Sequence, residues 1–267
     1  MIRHDVNGLR YYSFESIDAD AVTHGCFTRL GGASVGRFAS FNLGGTNGDD
    51  PAAVKQNHIS LFRAIERKDE TRFDVWQVHG TTIVFSEKPR PPEEKHKPAD
   101  GIFTQNPDVT LVMRFADCVP LVFYNPVQKV VGLVHAGWMG SLHQIARVAV
   151  ECAGAHYGCK AEDWVVGLGP SICGQCYQVG EDVRRQFLKV WGDSCLPFFN
   201  ENDQGLWLDL WGVNEHLLRQ AGVRQIENSR FCTAENLDEW YSYRAEKGYT
   251  GRFGVVIALR HANTHSI

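Results

Sequence analysis

Three short segments of this chain place a histidine or a cysteine where an apolar run ends. They supply His79, Cys118 and His135. A thiolate and two neutral imidazoles are ligands that Zn²⁺ prefers, and three protein ligands with a fourth position open to water are typical of a catalytic zinc. Their separations along the chain match no compact zinc-finger signature. These residues therefore predict a metal centre, provided that the fold brings them together.

The same side chains also allow nucleophilic catalysis. Cys118 as a thiolate, His79 or His135 as the base and Asp117 as the orienting carboxylate would form the site of a cysteine hydrolase. Because a thiolate bound to zinc is not free to attack a substrate, the metal hypothesis and the nucleophile hypothesis exclude each other.

The segment Cys173-Gly174-Gln175-Cys176 is a C-x-x-C motif. A structural zinc site would need a second pair of ligands at a suitable distance, and the sequence shows none. A redox-active C-x-x-C usually opens a helix after a strand, whereas this one follows Gly169-Pro170-Ser171 in a predicted loop. We interpret Cys173 and Cys176 as structural or incidental.

Four polar residues in loop-like contexts are candidates for binding an anionic substrate, although each also suits a surface or capping role. Arginine binds phosphate through two parallel hydrogen bonds, and no glycine-rich phosphate-binding signature is present as an alternative. The four candidates are Arg29, Asn42, Arg244 and Arg252.

Composition limits the remaining function classes. Apolar residues make up 43% and charged residues 22% of the 267 positions, which is ordinary for a folded globular protein. A net charge of −4 gives no electrostatic reason to expect binding to nucleic acid or to an anionic membrane. The first residues lack the apolar core of a signal peptide. We therefore expect a cytoplasmic protein, in which most of the eight cysteines are reduced thiols.

Apolar runs predict the strands that must position these residues. Three near-continuous runs, at 109–115, 119–124 and 129–134, are typical of strands buried on both faces. The other predicted strands cover residues 9–14, 21–27, 73–78, 81–85, 164–168, 223–226, 240–243 and 253–259.

Helices alternate with these strands. Asp49 or Asp50 as N-cap and Pro51 at the first helical position predict a helix that runs through Ile65. Further helices are predicted from Gly140-Ser141 through Cys152, over 180–191 and over 209–221. Since both element types occur along the whole chain, the fold class is α/β to α+β with mixed sheets. Residues 87–98 carry four prolines and seven charges and are predicted to be a solvated loop that contributes nothing to a core.

Taken together, the motifs resemble the YfiH/YlmD-like family, whose members also carry the labels polyphenol oxidase, laccase domain and peptidoglycan-editing factor. The resemblance is collinear from about residue 24 to 260. It rests on Thr28-Arg29, Gly31-Gly32-Ala33-Ser34, Asn42-Leu43-Gly44, Gly48-Asp49, Gln77-Val78-His79, Ala99-Asp100-Gly101, Ala116-Asp117-Cys118, His135-Ala136-Gly137-Trp138, Gly169-Pro170-Ser171-Ile172, Val179-Gly180, Trp207-Leu208-Asp209-Leu210, Cys232-Thr233 and Tyr241-Ser242-Tyr243-Arg244.

This resemblance implies one domain over residues 1–267, largely monomeric, with mixed β-sheets covered by helices. It also implies zinc at His79, Cys118 and His135, and phosphorolysis of adenosine, inosine, guanosine or methylthioadenosine together with hydrolytic deamination of adenosine. The partners would then be a nucleoside and phosphate. One residue departs from the family pattern, because Met139 stands where members commonly carry arginine. If that arginine assists phosphate binding, another arginine must do so here.

Bound zinc lowers the pKa of water to about 7, which would supply the nucleophile for deamination, and Asp117 is the nearest candidate for proton transfer. The alternatives are a zinc-dependent amide hydrolase that edits a peptidoglycan precursor, a copper-dependent phenol oxidase and a metal-binding protein without turnover. Cys118 and two histidines could hold one copper. A multicopper oxidase needs many histidines, usually in His-x-His pairs, and none of the eleven histidines forms such a pair.

Overall fold

Two six-stranded sheets pack face to face in the computed structural model, which describes residues 1–261. The strands, in chain order, are Ile2–Val6 (β1), Leu9–Ser13 (β2), Val22–Phe27 (β3), Arg72–Phe73 (β4), Ile83–Phe85 (β5), Gly101–Thr104 (β6), Thr110–Phe115 (β7), Val119–Asn125 (β8), Val130–Ala136 (β9), Val165–Leu168 (β10), Gln178–Val179 (β11), Phe199–Asn202 (β12), Gly205–Leu208 (β13), Gln225–Asn228 (β14) and Phe253–Leu259 (β15).

The first sheet has the order β1-β2-β3-β15-β7-β4 and the second the order β14-β10-β8-β9-β6-β5. Most neighbours are antiparallel, but β4 is parallel to β7, β5 to β6 and β14 to β10. A small third sheet has the order β11-β13-β12. The sheets are therefore mixed, as the sequence predicted.

Five helices cover the outer faces of these sheets within the described residues. They are Pro51–Ala64 (α1), Trp138–Leu142 (α2), Ile145–Tyr157 (α3), Glu181–Trp191 (α4) and Leu210–Gln220 (α5). The chain is thus an α+β domain. In residues 1–261 no helix has both the length and the apolar character that crossing a membrane requires.

Alternating side chains of the central strands divide the core into layers. Val122 on β8 faces β7 and β15 of the first sheet, whereas Leu121 and Phe123 face helices α3 and α5. On β15, Val255 packs between the sheets and Val256 packs toward α1. Successive side chains of a strand point to opposite faces, so a strand between two layers must be apolar at nearly every position. This confirms the prediction of strands buried on both faces.

Sequence signals predicted the positions of several helices correctly. Asp50 is the N-cap of α1, where its carboxylate accepts from the backbone N–H of Ala52 at 3.0 Å, and Pro51 is the first helical residue. The helices predicted at 180–191 and 209–221 are α4 and α5. The helix predicted from Gly140 is instead two helices, because Gln144 adopts a left-handed backbone conformation between them.

Two predicted strands are wrong. Residues 240–242 are buried and Tyr243 is exposed, but all four lie in turns, since the Trp240 N–H donates to the Asn236 carbonyl and the Ser242 N–H to the Glu246 carboxylate. The strand predicted at 73–78 ends at Phe73. Beyond it, the side chain of Gln77 replaces strand pairing by exchanging two hydrogen bonds with the backbone of Arg114.

The charged segment 87–98 contributes more than was predicted. Arg90 donates from its backbone to the Arg72 carbonyl and from its side chain to the buried carboxylate of Asp74. Trp76 forms an isolated bridge with Pro98. The segment is therefore partly docked, because a buried carboxylate requires cationic partners.

Candidate metal centre and its pocket

His79, Cys118 and His135 converge where the chain passes between the two sheets. Cys118 lies in the turn that leads from β7 of the first sheet to β8 of the second, and His79 lies on the connection from β4 to β5, which makes the same crossing. His135 is near the end of β9. One ligand atom from each side chain lies within 4.8 Å of the others. The structure thus brings together the three residues that the sequence singled out.

Asp100 organises this cluster from the second sheet. Its carboxylate is fully buried and accepts from the backbone N–H groups of Val78, His79 and Gly80 at 3.2, 3.0 and 2.7 Å. It also accepts from Nδ1 of His135 at 2.8 Å. One carboxylate therefore fixes the loop that carries His79 and turns Nε2 of His135 toward the cluster. A carboxylate that orients a ligating histidine in this way is common around metal ions.

Gly137 leaves the space in which the three ligands meet. A Cβ atom at this position would lie 2.9 Å from Nδ1 of His79 and 3.1 Å from Sγ of Cys118. Gly140, one turn into α2, lies close to the Gly80 carbonyl, which would be 3.3 Å from its Cβ. The glycines after His135 thus allow α2 to approach the His79 loop closely.

The electrostatics of the cluster favour an anionic sulfur. Burial acts to raise the pKa of the Cys118 thiol, but the His135 imidazole and hydrogen bonds from both histidines outweigh it and lower that pKa to about 6. Burial acts to lower the pKa of His135, yet the Cys118 thiolate and Asp100 raise it to about 9. The pKa of Asp100 is lowered, because the hydrogen bonds from His135 and the backbone outweigh its burial.

This donor set fits one zinc ion. It offers one sulfur and two imidazole nitrogens, it is oriented by Asp100, and the glycine at position 137 keeps its centre clear. Three protein ligands leave a coordination position for substrate. The exposed side of His79 faces a pocket, so the open position has access to small molecules.

The pocket has a volume of about 720 Å³, within the range of sites that bind small molecules. It joins the three ligands to apolar, aromatic and cationic side chains. Its lining residues are Gly44, Gly45, Thr46, Val75, Trp76, Gln77, His79, His96, Arg114, Phe115, Ala116, Asp117, Cys118, His135, Trp138, Met139, Ile172, Tyr177, Leu210, Tyr243, Arg244 and Arg252.

Two of the four predicted anion-binding residues line this pocket. Arg244 stacks over the ring of Tyr177 and donates from Nη1 to the carbonyl of Gln178. Arg252 lies over the ring of Tyr243, and its Nη1 donates to the Gly251 carbonyl at 2.8 Å. Burial lowers the pKa of Arg252. Both guanidinium groups are therefore held in place beside the metal-ligand cluster.

The other two predicted anion-binding residues, Arg29 and Asn42, do not line the pocket. The Arg29 guanidinium donates to the Ala39 and Leu237 carbonyls and to Glu246, and it stacks on Tyr241. The Asn42 amide is fully buried, where its Oδ1 accepts from the backbone N–H groups of Gly44 and Arg252. These contacts give both residues a structural role, because they join the loop between β3 and α1 to the segment 237–252.

Asp117 lines the pocket, but each of its carboxylate oxygens accepts a hydrogen bond from another segment of the chain. Oδ1 accepts from Oγ1 of Thr233 at 2.6 Å, and Oδ2 accepts from the backbone N–H of Arg244 at 2.6 Å. Its own backbone carbonyl accepts from Ile172. Asp117 therefore fixes three chain segments around the pocket, in addition to being the residue that the sequence nominates for proton transfer.

Several pocket residues were missed by the sequence argument. Arg114 comes from β7 and pairs with the buried Asp74, as does His96, whose Nε2 is 3.2 Å from Oδ2 of Asp74. Trp76 and Tyr243 are 50% and 53% exposed, although both are large aromatic side chains. A buried Asp between cationic residues leaves no periodic signal in the sequence. The exposed tryptophan stands directly before the Gln77-Val78-His79 motif, which is the one signal that pointed to it.

Comparison with known proteins finds relatives that match nearly the whole chain. A family model described as multi-copper polyphenol oxidoreductase laccase matches residues 23–260. A purine nucleoside phosphorylase from Deinococcus radiodurans is 37% identical over 240 residues, which cover 90% of each chain.

Solved structures agree with the fold. The chain superposes on a hypothetical protein YfiH from Bacillus licheniformis with a TM-score of 0.87 at 29% identity, covering 96% of this chain and 98% of that one. It superposes on YlmD from Geobacillus stearothermophilus with a TM-score of 0.86 at 31% identity, covering 95% and 97% of the two chains.

Proposed function

This chain belongs to the family described as multi-copper polyphenol oxidoreductase laccase, and on that premise we propose that it cleaves purine nucleosides with phosphate. In this reaction a phosphate oxygen bonds to C1′ of the ribose while the bond from C1′ to the purine nitrogen breaks, and the purine takes up a proton. The observation that carries the proposal is that one pocket combines aromatic side chains, two fixed arginines and the His79, Cys118 and His135 cluster.

Aromatic side chains at the pocket suit a purine base. Trp76 and Tyr243 are exposed by half and lie at the pocket wall, where a ligand could cover them. Stacking of a base on an aromatic ring contributes about 1–3 kcal/mol and tolerates different bases. Such a wall is consistent with a substrate class that includes inosine, guanosine, adenosine and methylthioadenosine.

Arg244 and Arg252 suit the phosphate. Both guanidinium groups are anchored through Nη1 and by an aromatic ring, so they lose little further freedom when they bind an anion. Met139 also lines the pocket. It contributes no charge at the position where the family pattern has arginine, so we assign phosphate binding to Arg244 and Arg252.

We further propose that His79, Cys118 and His135 hold a zinc ion. Bound zinc would supply Lewis-acid chemistry beside the substrate, and Asp100 would keep His135 in the tautomer that leaves Nε2 free to bind a metal. Asp117 is then a positioning residue for Arg244 rather than a proton donor. His96 becomes the candidate for passing a proton to the leaving purine, because it lines the pocket and its Nε2 lies 3.2 Å from Oδ2 of Asp74.

The test is phosphate-dependent release of hypoxanthine from inosine by zinc-loaded protein. Wild type and Cys152→Ser, whose cysteine lies on α3 away from the pocket, should both release the base. Cys118→Ser should lose zinc and activity together. If zinc-loaded wild type releases no base at any phosphate concentration, the proposal is wrong.

The same samples separate the alternatives. Ammonia release from adenosine without phosphate would support the deaminase activity that the family resemblance implies. Turnover of a muropeptide amide or of a phenol in place of nucleosides would support an amide hydrolase or a copper-dependent oxidase. Activity in metal-free protein that is lost on thiol alkylation would make Cys118 a nucleophile. Cytoplasmic location and a monomeric state remain predictions.

A further inference from the structure

A second cluster of metal-binding side chains lies outside the proposed catalytic cluster. One ligand atom from each of Cys173, Cys176, Cys232 and Glu235 lies within 4.8 Å of the others. We propose that these four residues bind a structural zinc ion. The C-x-x-C motif is not recognisable as a zinc site from the sequence, because the other two ligands come from a segment far along the chain.

The fold assembles this cluster from two segments that are joined by backbone hydrogen bonds. The Ser171 N–H donates to the Phe231 carbonyl and the Thr233 N–H donates to the Ser171 carbonyl, both at 3.1 Å. These bonds place Cys173 and Cys232 side by side. Each segment then turns back on itself, since the Cys176 N–H donates to the Cys173 carbonyl and the Asn236 amide donates to the Cys232 carbonyl. The turns bring Cys176 and Glu235 to the same point.

The spacing of the donor atoms suits one tetrahedral ion. Zinc–sulfur bonds of about 2.3 Å and zinc–oxygen bonds of about 2.0 Å place neighbouring ligand atoms about 3.5–3.8 Å apart. Sγ of Cys176 lies 3.6 Å from Oε1 of Glu235. The Cys173 N–H points at Sγ of Cys232, 3.4 Å away, and such a bond stabilises a thiolate more than a thiol.

The chemistry of the donors and their burial indicate a structural rather than a catalytic ion. Cys173 and Cys232 are buried, Cys176 is partly buried and Glu235 is exposed. Four protein ligands fill a tetrahedral shell and leave no position for substrate. Three thiolates favour zinc over magnesium or calcium. A disulfide would be the other use of close cysteines, but it would join only two of the three and would give Glu235 no role.

This ion would stabilise the wall of the pocket. Ile172, next to Cys173, donates its N–H to the Asp117 carbonyl at 3.0 Å, and Thr233, next to Cys232, donates to the Asp117 carboxylate at 2.6 Å. Both segments that the zinc would join therefore hold Asp117, whose neighbour is Cys118. We expect the ion to raise thermal stability and to keep the pocket in shape without contacting the substrate.

The experiment measures zinc per chain in protein purified with reductant and without added metal. Wild type and Cys152→Ser should contain about two zinc ions per chain, and Cys176→Ser should contain about one. Glu235→Gln, which keeps three thiolates, should lose this ion to a weaker chelator than wild type does. Cys118→Ser should lose the other ion. If the proposed catalytic zinc is absent, wild type should contain about one ion that Cys118→Ser retains and Cys176→Ser loses, so the two proposals fail independently.

Thiol alkylation read by mass spectrometry gives a second measurement on the unmodified chain, in case a variant does not fold. Cys173, Cys176 and Cys232 should resist alkylation until a chelator removes zinc, whereas Cys152 should react at the same rate with and without chelator. Zinc content that is the same in Cys176→Ser and in wild type would overturn the proposal. So would a disulfide between any two of the three cysteines in the reduced preparation, or an alkylation rate that the chelator does not change.

Discussion

The carboxylate of Asp100 offers the sharpest test of how the fold builds its metal-ligand cluster. In Asp100→Asn the side chain keeps its shape but presents one oxygen and one NH₂ group. The native carboxylate accepts four hydrogen bonds, with His79 and His135 on Oδ1 and with Val78 and Gly80 on Oδ2. Whichever way the amide turns, its NH₂ group faces two donors.

The number of hydrogen bonds lost sets the expected decrease in the free energy of unfolding. A hydrogen bond to a charged group contributes about 1.5–3 kcal/mol, so the loss of two should lower the free energy of unfolding of the metal-free protein by about 3–6 kcal/mol. If the NH₂ group faces His135, Nδ1 must become the acceptor and the proton moves to Nε2, which can then no longer bind metal. If it faces Val78 and Gly80, the His79 loop loses its anchor. Either way, zinc affinity should fall by about 10–100-fold.

Two assays measure these effects separately. Urea unfolding in the presence of chelator gives the stability of the metal-free protein, and competition with a chromophoric chelator gives the zinc affinity. Asp74→Asn is the matched control, since Asp74 is equally buried but accepts only from the side chains of Arg90 and Arg114, with Nε2 of His96 3.2 Å from its Oδ2. It should lose stability and keep its zinc affinity. An Asp100→Asn protein that unfolds like wild type and binds zinc as tightly would refute the reasoning.

Three further predictions follow from individual contacts. In Gly137→Ala the new Cβ would lie 2.9 Å from Nδ1 of His79, so the affinity for zinc should fall. A zinc titration that gives the wild-type affinity would contradict this prediction. Burial and two neighbouring arginines lower the pKa of His58 from 6.5 to about 3. Between pH 6.5 and pH 3 the unfolded chain therefore binds a proton that the folded chain does not. As the pH falls through this range, His58 should lower the free energy of unfolding by up to about 1.4 kcal/mol per pH unit. Urea unfolding of His58→Gln over the same range should show a smaller loss of stability with falling pH than wild type does. Replacement of Arg252 by Lys keeps the positive charge but removes the planar guanidinium, which can donate two parallel hydrogen bonds to phosphate. In the inosine assay this change should raise the KM for phosphate more than the KM for inosine. An equal rise in both KM values would argue for a structural role of Arg252.

The two metal-binding clusters have one feature in common, because Asp117 lies between them. Its carboxylate and carbonyl accept from the segments that carry Cys173 and Cys232, and its carboxylate also accepts from the backbone of Arg244. Arg244, one of the two arginines that we assign to phosphate binding, is thus positioned by the same residue that the second cluster supports. Loss of the second ion should therefore affect phosphate binding more than binding of the base.

The amino-acid sequence by itself determined much of the local structure and singled out the three candidate ligands. Apolar runs specify strands that lie between two layers, as in β8 and β15, because each face of such a strand must be buried. The start of α1 is specified by Asp50 and Pro51, which act on their own backbone. His79, Cys118 and His135 could be singled out because each ends an apolar run and together they form a donor set that zinc prefers, although the same residues also suited a cysteine nucleophile with a histidine base.

Only the tertiary structure decided which of these residues meet and what surrounds them. The sequence could not show that Arg29 and Asn42 are tied into loop contacts, since a guanidinium or an amide binds a carbonyl as readily as a phosphate. It could not pair the C-x-x-C motif with Cys232 and Glu235, because that contact depends on hydrogen bonds between segments remote in sequence. Spacing along a chain limits distance only within one element, and the residues of each of these two clusters come from segments that only the fold brings together.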